Sequence, residues 1–164
     1  LLLACPGDMG ALEQLYRLMK RDIFAFAYSL LGDVPLAEDC VQETFARLPR
    51  AAARLRNPGS GKAFVFAVAR HAAMELLRKN PPAAEPPADL PDDAGDFTRT
   101  VEAAQILLRL DEPERQILVL HIYCGWTFRQ IAALLDRPAS TVKSCYARAK
   151  ARVRQEWRNA NDLV

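Results

Sequence analysis

A chain of 164 residues, 51% hydrophobic and 26% charged, has room for one domain or two small ones and enough apolar content to close a core. Its 22 basic and 20 acidic residues leave a net charge of only +2, and no stretch approaches the ~20 apolar residues of a membrane span. Four cysteines without a C-x-x-C pair or a nearby histidine at zinc spacing argue against a disulfide framework or a metal site, so no cofactor and no metal is expected. Leu1-Leu2-Leu3-Ala4 is too short for a secretory signal and lacks a basic leader. With no initiating methionine, the natural start is expected upstream. A soluble cytoplasmic protein is the default.

The small net charge hides an asymmetry. Residues 1–79 carry 11 basic and 8 acidic groups, residues 80–97 five acids and no base, and residues 98–164 11 bases and 7 acids. Two mildly basic ends flank an acidic strip, a pattern that suits two polyanion-binding modules better than one enzyme with a central pocket.

In chain order, Asp8 can cap a first helix that places Leu12, Leu15, Tyr16, Met19, Ile23, Phe26 and Ala27 on one buried face. Gly32-Asp33 ends it, and Pro35 suits the first turn of a second helix. There Val41, Phe45 and Leu48 follow core spacing, which turns Asp39, Gln42, Glu43 and Ala46 outward. Pro49 limits how far this helix can run without a kink. Asn57-Pro58-Gly59-Ser60-Gly61 reads as a loop. A third helix follows from about Lys62, burying Val65, Val68, Ala69, Ala72 and Leu76 and showing Arg70, His71, Arg78 and Lys79 elsewhere. His71 reads as a surface histidine. No nucleophile–base pair, acid pair or phosphate-cradling glycine motif is present, so the chain does not read as an enzyme.

Residues 80–97, NPPAAEPPADLPDDAGDF, hold five prolines within eleven residues and charge of one sign, the composition of an extended or disordered linker. The expected fold is therefore all-α: a domain over 1–79, a linker over 80–97, and a second domain over 98–164.

The second domain contains the most informative segment. Thr127 and Gln130 have capping-box spacing and open a helix burying Ile131, Leu134 and Leu135. Asp136-Arg137-Pro138 breaks it, and Ser140 or Thr141 can cap a following helix with Val142, Tyr146, Ala149 and Val153 as its stripe. From Arg137 to Arg158, both included, there are seven Lys/Arg and the single acid Glu156. A short turn before a basic helix fits a helix-turn-helix whose second helix enters the major groove. A solvated basic face on an ordinary helical hairpin is the plainer alternative.

Read in order, these segments resemble an extracytoplasmic-function sigma factor of bacterial RNA polymerase. Ala37-Glu38-Asp39-Cys40-Val41-Gln42-Glu43-Thr44-Phe45 resembles that family's D-x-x-Q-E-x-F segment, and Phe64–His71 its W-L-x-x-I-A-R-N helix. Thr141-Val142-Lys143-Ser144 with Ala147-Arg148-Ala149 resembles its T-V-K-S-R-x-x-R-A recognition helix. Gly7-Asp8 with Leu15-Tyr16 resembles the opening helix. Cys145 stands where the family often has arginine, which is expected to remove a basic group beside the DNA face; His71, His121 and Gln130 are further departures.

The resemblance implies core polymerase and promoter DNA as partners, with an anti-sigma factor as a third. Asp39, Gln42 and Glu43 would bind core polymerase. Asn57, Ser60, Lys62, Arg70 and His71 would meet the −10 element. Arg137, Ser140, Thr141, Lys143, Ser144, Arg148, Lys150 and Arg152 would meet the −35 element, with Lys143, Ser144 and Arg148 at base edges and Arg137, Lys150 and Arg152 nearer phosphates. Two alternatives stand beside this: a stand-alone helix-turn-helix regulator, and an interaction protein that titrates an anti-sigma factor.

Overall fold

The structure, a computed structural model, describes residues 8–54, 60–81 and 106–161, with side chains to residue 159. The chain divides into two compact units, Leu1–Pro82 and Ala83–Val164. Each is taken by itself. Apart from Asn80 and Pro81, the strip read as a linker lies outside the described residues, as does Asn57.

In the first unit, α1 spans Met9–Leu31, α2 Val34–Ala53 and α3 Gly61–Lys79. Local chemistry sets the boundaries. Asp8 Oδ1 accepts from the amides of Gly10 at 2.9 Å and Ala11 at 3.1 Å, satisfying donors that a helix start leaves open. Gly32 closes α1 in the left-handed region at φ 65°, where a side chain would be strained, and its amide donates to Tyr28 O. Asp33 caps α2 through the Leu36 amide at 2.8 Å, with Pro35 in the first turn. Ser60 caps α3.

The three helices pack on one another around Ile23, Phe26, Leu48, Val65 and Phe66, with the Phe26 and Phe66 rings 5.3 Å apart. Pro49 lies inside α2, which continues to Ala53 with Leu48 and Ala52, on either side of the proline, both buried. Two expectations need correction. Tyr16 is 39% exposed, since α1 meets its neighbours mainly from Met19 onward; its ring rests edge-on against Phe45. Phe66, absent from the expected stripe, is fully buried, whereas Val68 and Leu76 are half-buried.

The described part of the second unit begins with a turn that buries Ile106 and Leu110, followed by α4, Glu112–Leu118. One π-helical turn, Val119–Tyr123, continues it. The wider turn keeps Val119 and Leu120 inside and leaves Ile122 and Tyr123 exposed. Next comes α5, Phe128–Leu135, opened by a complete Thr127/Gln130 capping box, and then α6, Ala139–Asn161. Both α4 and α5 pack against α6. Ile131, Leu135, Val142 and Ala149 are buried as the spacing predicts.

The start of α6 differs from expectation. Asp136 turns the chain in the left-handed region at φ 51°, so the reversal is complete by Pro138, whose carbonyl accepts from the Val142 amide at 3.1 Å. Pro138 therefore takes the N-cap position, and Ser140 and Thr141 sit inside the first turn. Cys145 is 3% exposed and packs in the core with the apolar stripe of α6.

Both tryptophans, Trp126 and Trp157, lie in the second unit, which makes the units separable by spectroscopy. Phe26→Ala should cost the first unit about 3–5 kcal/mol. In urea, circular dichroism should then show an earlier helical transition while the tryptophan transition stays in place. A common shift of both signals would show that the chain unfolds as one cooperative body.

Candidate functional site

On α2 the core stripe of Val41, Phe45 and Leu48 leaves Asp39, Gln42 and Glu43 exposed on the opposite side. With Glu75, Leu76 and Lys79 of α3 they line a groove of about 420 Å³. Arg47 ties the two helices together. Its Nε donates to Glu43 Oε1 and its Nη2 to Glu75 Oε2, each at 2.6 Å. The bond from Arg47 holds the Glu75 carboxyl below its usual range, and His71, 3.4 Å from Glu75, adds to the effect. Beneath this face, burial pushes the Cys40 thiol up to about 11, and its Sγ donates to Ala69 O. That thiol therefore stays protonated and is a packing group, not a nucleophile.

Of the residues expected at the −10 element, Ser60, Lys62, Arg70 and His71 are among the described residues. The Ser60 hydroxyl accepts from the Ala63 amide as a cap. Lys62 lies 3.7 Å from Asp22 of α1, an acid whose pKa is raised by burial despite that cation. Arg70 is half-buried, and His71 is exposed beside Glu75.

In the second unit, α6 buries Val142, Cys145 and Ala149. At about 100° per residue, Ser140, Ser144, Ala147 and Ala151 run down the opposite side. Lys143, Lys150 and Arg154 stand along one edge of that line and Arg148 and Arg152 along the other. The two edges have different surroundings. Lys150 lies over the Tyr146 ring at 5.5 Å. Arg148 Nε donates to Glu114 Oε1 at 3.2 Å, and Arg152 Nη1 is shared between Asp111 Oδ2 at 2.7 Å and Glu114 Oε2 at 3.0 Å. Those two acids raise the Arg152 pKa. The Ser144 hydroxyl donates back to Ser140 O.

His121 is another residue whose placement the sequence did not reveal. Its ring stacks on Phe128 at 4.3 Å and meets Tyr146 edge-on, and its Nδ1 donates to Trp126 O at 2.7 Å. Since a carbonyl only accepts, the proton is on Nδ1. This imidazole fixes the π-helical turn against the helix pair. Among the described residues no cluster of metal-ligating side chains occurs, and no helix is long and apolar enough to cross a membrane.

The first unit thus presents a groove lined by acidic side chains, and the second a helix-turn-helix whose second helix is basic. Comparison with known proteins gives the class. The sigma-70 region 2 profile matches residues 15–81, and the sigma-70 region 4 profile matches residues 100–153. The extracytoplasmic-function sigma factor SigC of Mycobacterium tuberculosis is 29% identical over 157 residues, covering 91% of this chain and 84% of that protein. SigM of the same species is 29% identical over 153 residues, covering 90% and 77%. Among solved structures, the sigma factor RpoE of Bartonella quintana, in complex with the anti-sigma factor NepR, superposes with a TM-score of 0.74 at 24% identity, covering 89% of this chain and 96% of that one. The chain belongs to the sigma-70 family, within its extracytoplasmic-function group.

The Arg47–Glu75 link gives a pH signature. Because the folded pKa of Glu75 lies below its unfolded value of 4.5, its contribution to stability is present above that value and fades as pH falls through the folded one. Glu75→Gln should flatten the acid limb of the first unit's stability curve, followed by urea midpoints across that range. Coincident curves would show that solvent screens the pair out of the balance.

Proposed function

We propose that this chain is the promoter-specificity subunit of a bacterial RNA polymerase: it binds core enzyme through the first unit and promoter DNA through both units. The observation that carries the reading is the pairing of two unlike surfaces in one chain, an exposed acidic face on α2 and a basic flank on α6. Asp39, Gln42 and Glu43 supply carboxylates and an amide to a basic helical partner. Their neighbour Arg47, held by two acids, leaves the face net acidic.

In the second unit, the small side chains of Ser140, Ser144, Ala147 and Ala151 let the α6 backbone approach a groove floor. Lys143 and Arg148 reach base edges from either side, while Arg137 and Lys150 meet phosphates. In the first unit, Ser60, Lys62, Arg70 and His71, with Asn57, serve the −10 element. The different angular positions of Lys62, Arg70 and His71 around α3 support a role in holding an opened strand rather than in reading a duplex. The chain contributes binding and selection, not catalysis, and works where core polymerase and DNA are, in the cytoplasm. The likeness to RpoE, solved with NepR, supports an anti-sigma factor as a further partner.

Replacing Asp39 and Glu43 together by Ala should weaken binding to core polymerase at least tenfold, ~1.4 kcal/mol, with helical content unchanged because both side chains are exposed. Titration of labelled protein with core enzyme measures it. Unaltered affinity would remove α2 from the polymerase interface.

A further inference from the structure

We propose that Glu114 of α4 is a positioning residue for promoter recognition: it orients Arg148 toward DNA and withholds Arg152 from it. The proposal rests on the reading of α6 given under Proposed function.

Glu114 is 5% exposed, and a buried carboxylate must be compensated by hydrogen-bonded cations. Each of its oxygens holds a different arginine of α6, Oε1 that of Arg148 and Oε2 that of Arg152. These contacts divide the two guanidinium groups differently. Arg148 uses its inner edge only: Nε donates to Glu114 at 3.2 Å and Nη2 to Cys145 Sγ at 3.2 Å. The outer edge, formed by Nη1 and the second Nη2 hydrogen, points away from these partners, and the side chain is 65% exposed. That edge is the fork that pairs with the two acceptors of a guanine. With the inner edge fixed, the fork is held in one orientation before DNA arrives.

Arg152 is treated otherwise. Its Nη1 is shared by Asp111 and Glu114, so two acids balance the charge of the pair of arginines, and this edge of α6 carries no surplus charge toward a phosphate. Lys143, Lys150 and Arg154, on the other edge, have no carboxylate partner among the described residues. Counter-ion release therefore comes from that edge, and sequence discrimination from the Arg148 edge.

The test uses the full chain assembled with bacterial core polymerase and a duplex library randomised over the upstream block. The preferred duplex selected by the unaltered protein and its single-base variants are then bound by Glu114→Gln, Arg148→Ala and the double variant at several salt concentrations. Glu114→Gln should lower discrimination at one base pair roughly tenfold, within the range that a bidentate contact supplies. It should also steepen the dependence of log affinity on log salt by about 1, as Arg152 is freed for a phosphate. In the Arg148→Ala background it should cost no further discrimination.

Equal losses with and without Arg148 would mean that Glu114 acts only through domain stability and would overturn the proposal, as would unchanged discrimination in the single variant. If Arg148→Ala alone left discrimination intact, the recognition reading of α6 would fail, and this proposal with it. Asp111→Asn covers the case in which Glu114→Gln does not fold, because the Asp111 side chain is 70% exposed and outside the core. It should steepen the salt dependence with discrimination preserved; an unchanged slope overturns the withholding of Arg152.

Discussion

A helix in a small domain buries one stripe, and whatever the stripe does not use is available to a partner. In this chain that geometric constraint places both of the surfaces proposed to bind partners. On α2, burying Val41, Phe45 and Leu48 obliges Asp39, Gln42 and Glu43 to face water. On α6, burying Val142, Cys145 and Ala149 leaves a line of serines and alanines bordered by cations. Neither surface is built from loops. Each is the outer side of a helix of 20 or more residues whose inner side is pinned by neighbours, which suits sites that must be presented in a fixed shape.

Electrostatics then refines what packing exposes. Arg47 and Arg152 are each held by two carboxylates and Arg148 by one, so the formal charge of a helix overstates what a partner meets. On α6 this distinguishes Lys143, Lys150 and Arg154, which have no carboxylate partner among the described residues, from Arg148, already oriented by the buried Glu114. The core performs the same service for cysteine. Cys40, Cys124 and Cys145 are free thiols in apolar surroundings, where they pack as small side chains.

Much of this was legible in the sequence wherever the determining interaction is local. The Asp8 cap, the Gly32 stop, Pro35 in a first turn and the Thr127/Gln130 box act over two to four residues, and each is present. The outward placement of Asp39, Gln42 and Glu43 followed from period alone. Features that depend on distant packing were not legible. Whether Phe66 or Val68 fills the core is decided by how α1 and α2 pack on α3, with Phe66 buried against Phe26. The cap of α6 was misread because a left-handed Asp136 shortens the turn, an option that only the three-dimensional path reveals. Glu114 lies 34 residues before Arg148 and belongs to no local pattern, and the π-helical turn that exposes Ile122 has no compositional mark.

The central claim is that this chain confers promoter selectivity on an enzyme that lacks it. Its most direct test is run-off transcription by bacterial core RNA polymerase on a pool of templates with randomised upstream sequence, with and without the purified chain. Addition of the chain should produce transcripts that start at a fixed distance from one enriched pair of upstream elements, and the enrichment at the more distant element should depend on Arg148. Transcripts with no shared upstream sequence, or the same pattern with and without the chain, would contradict the account.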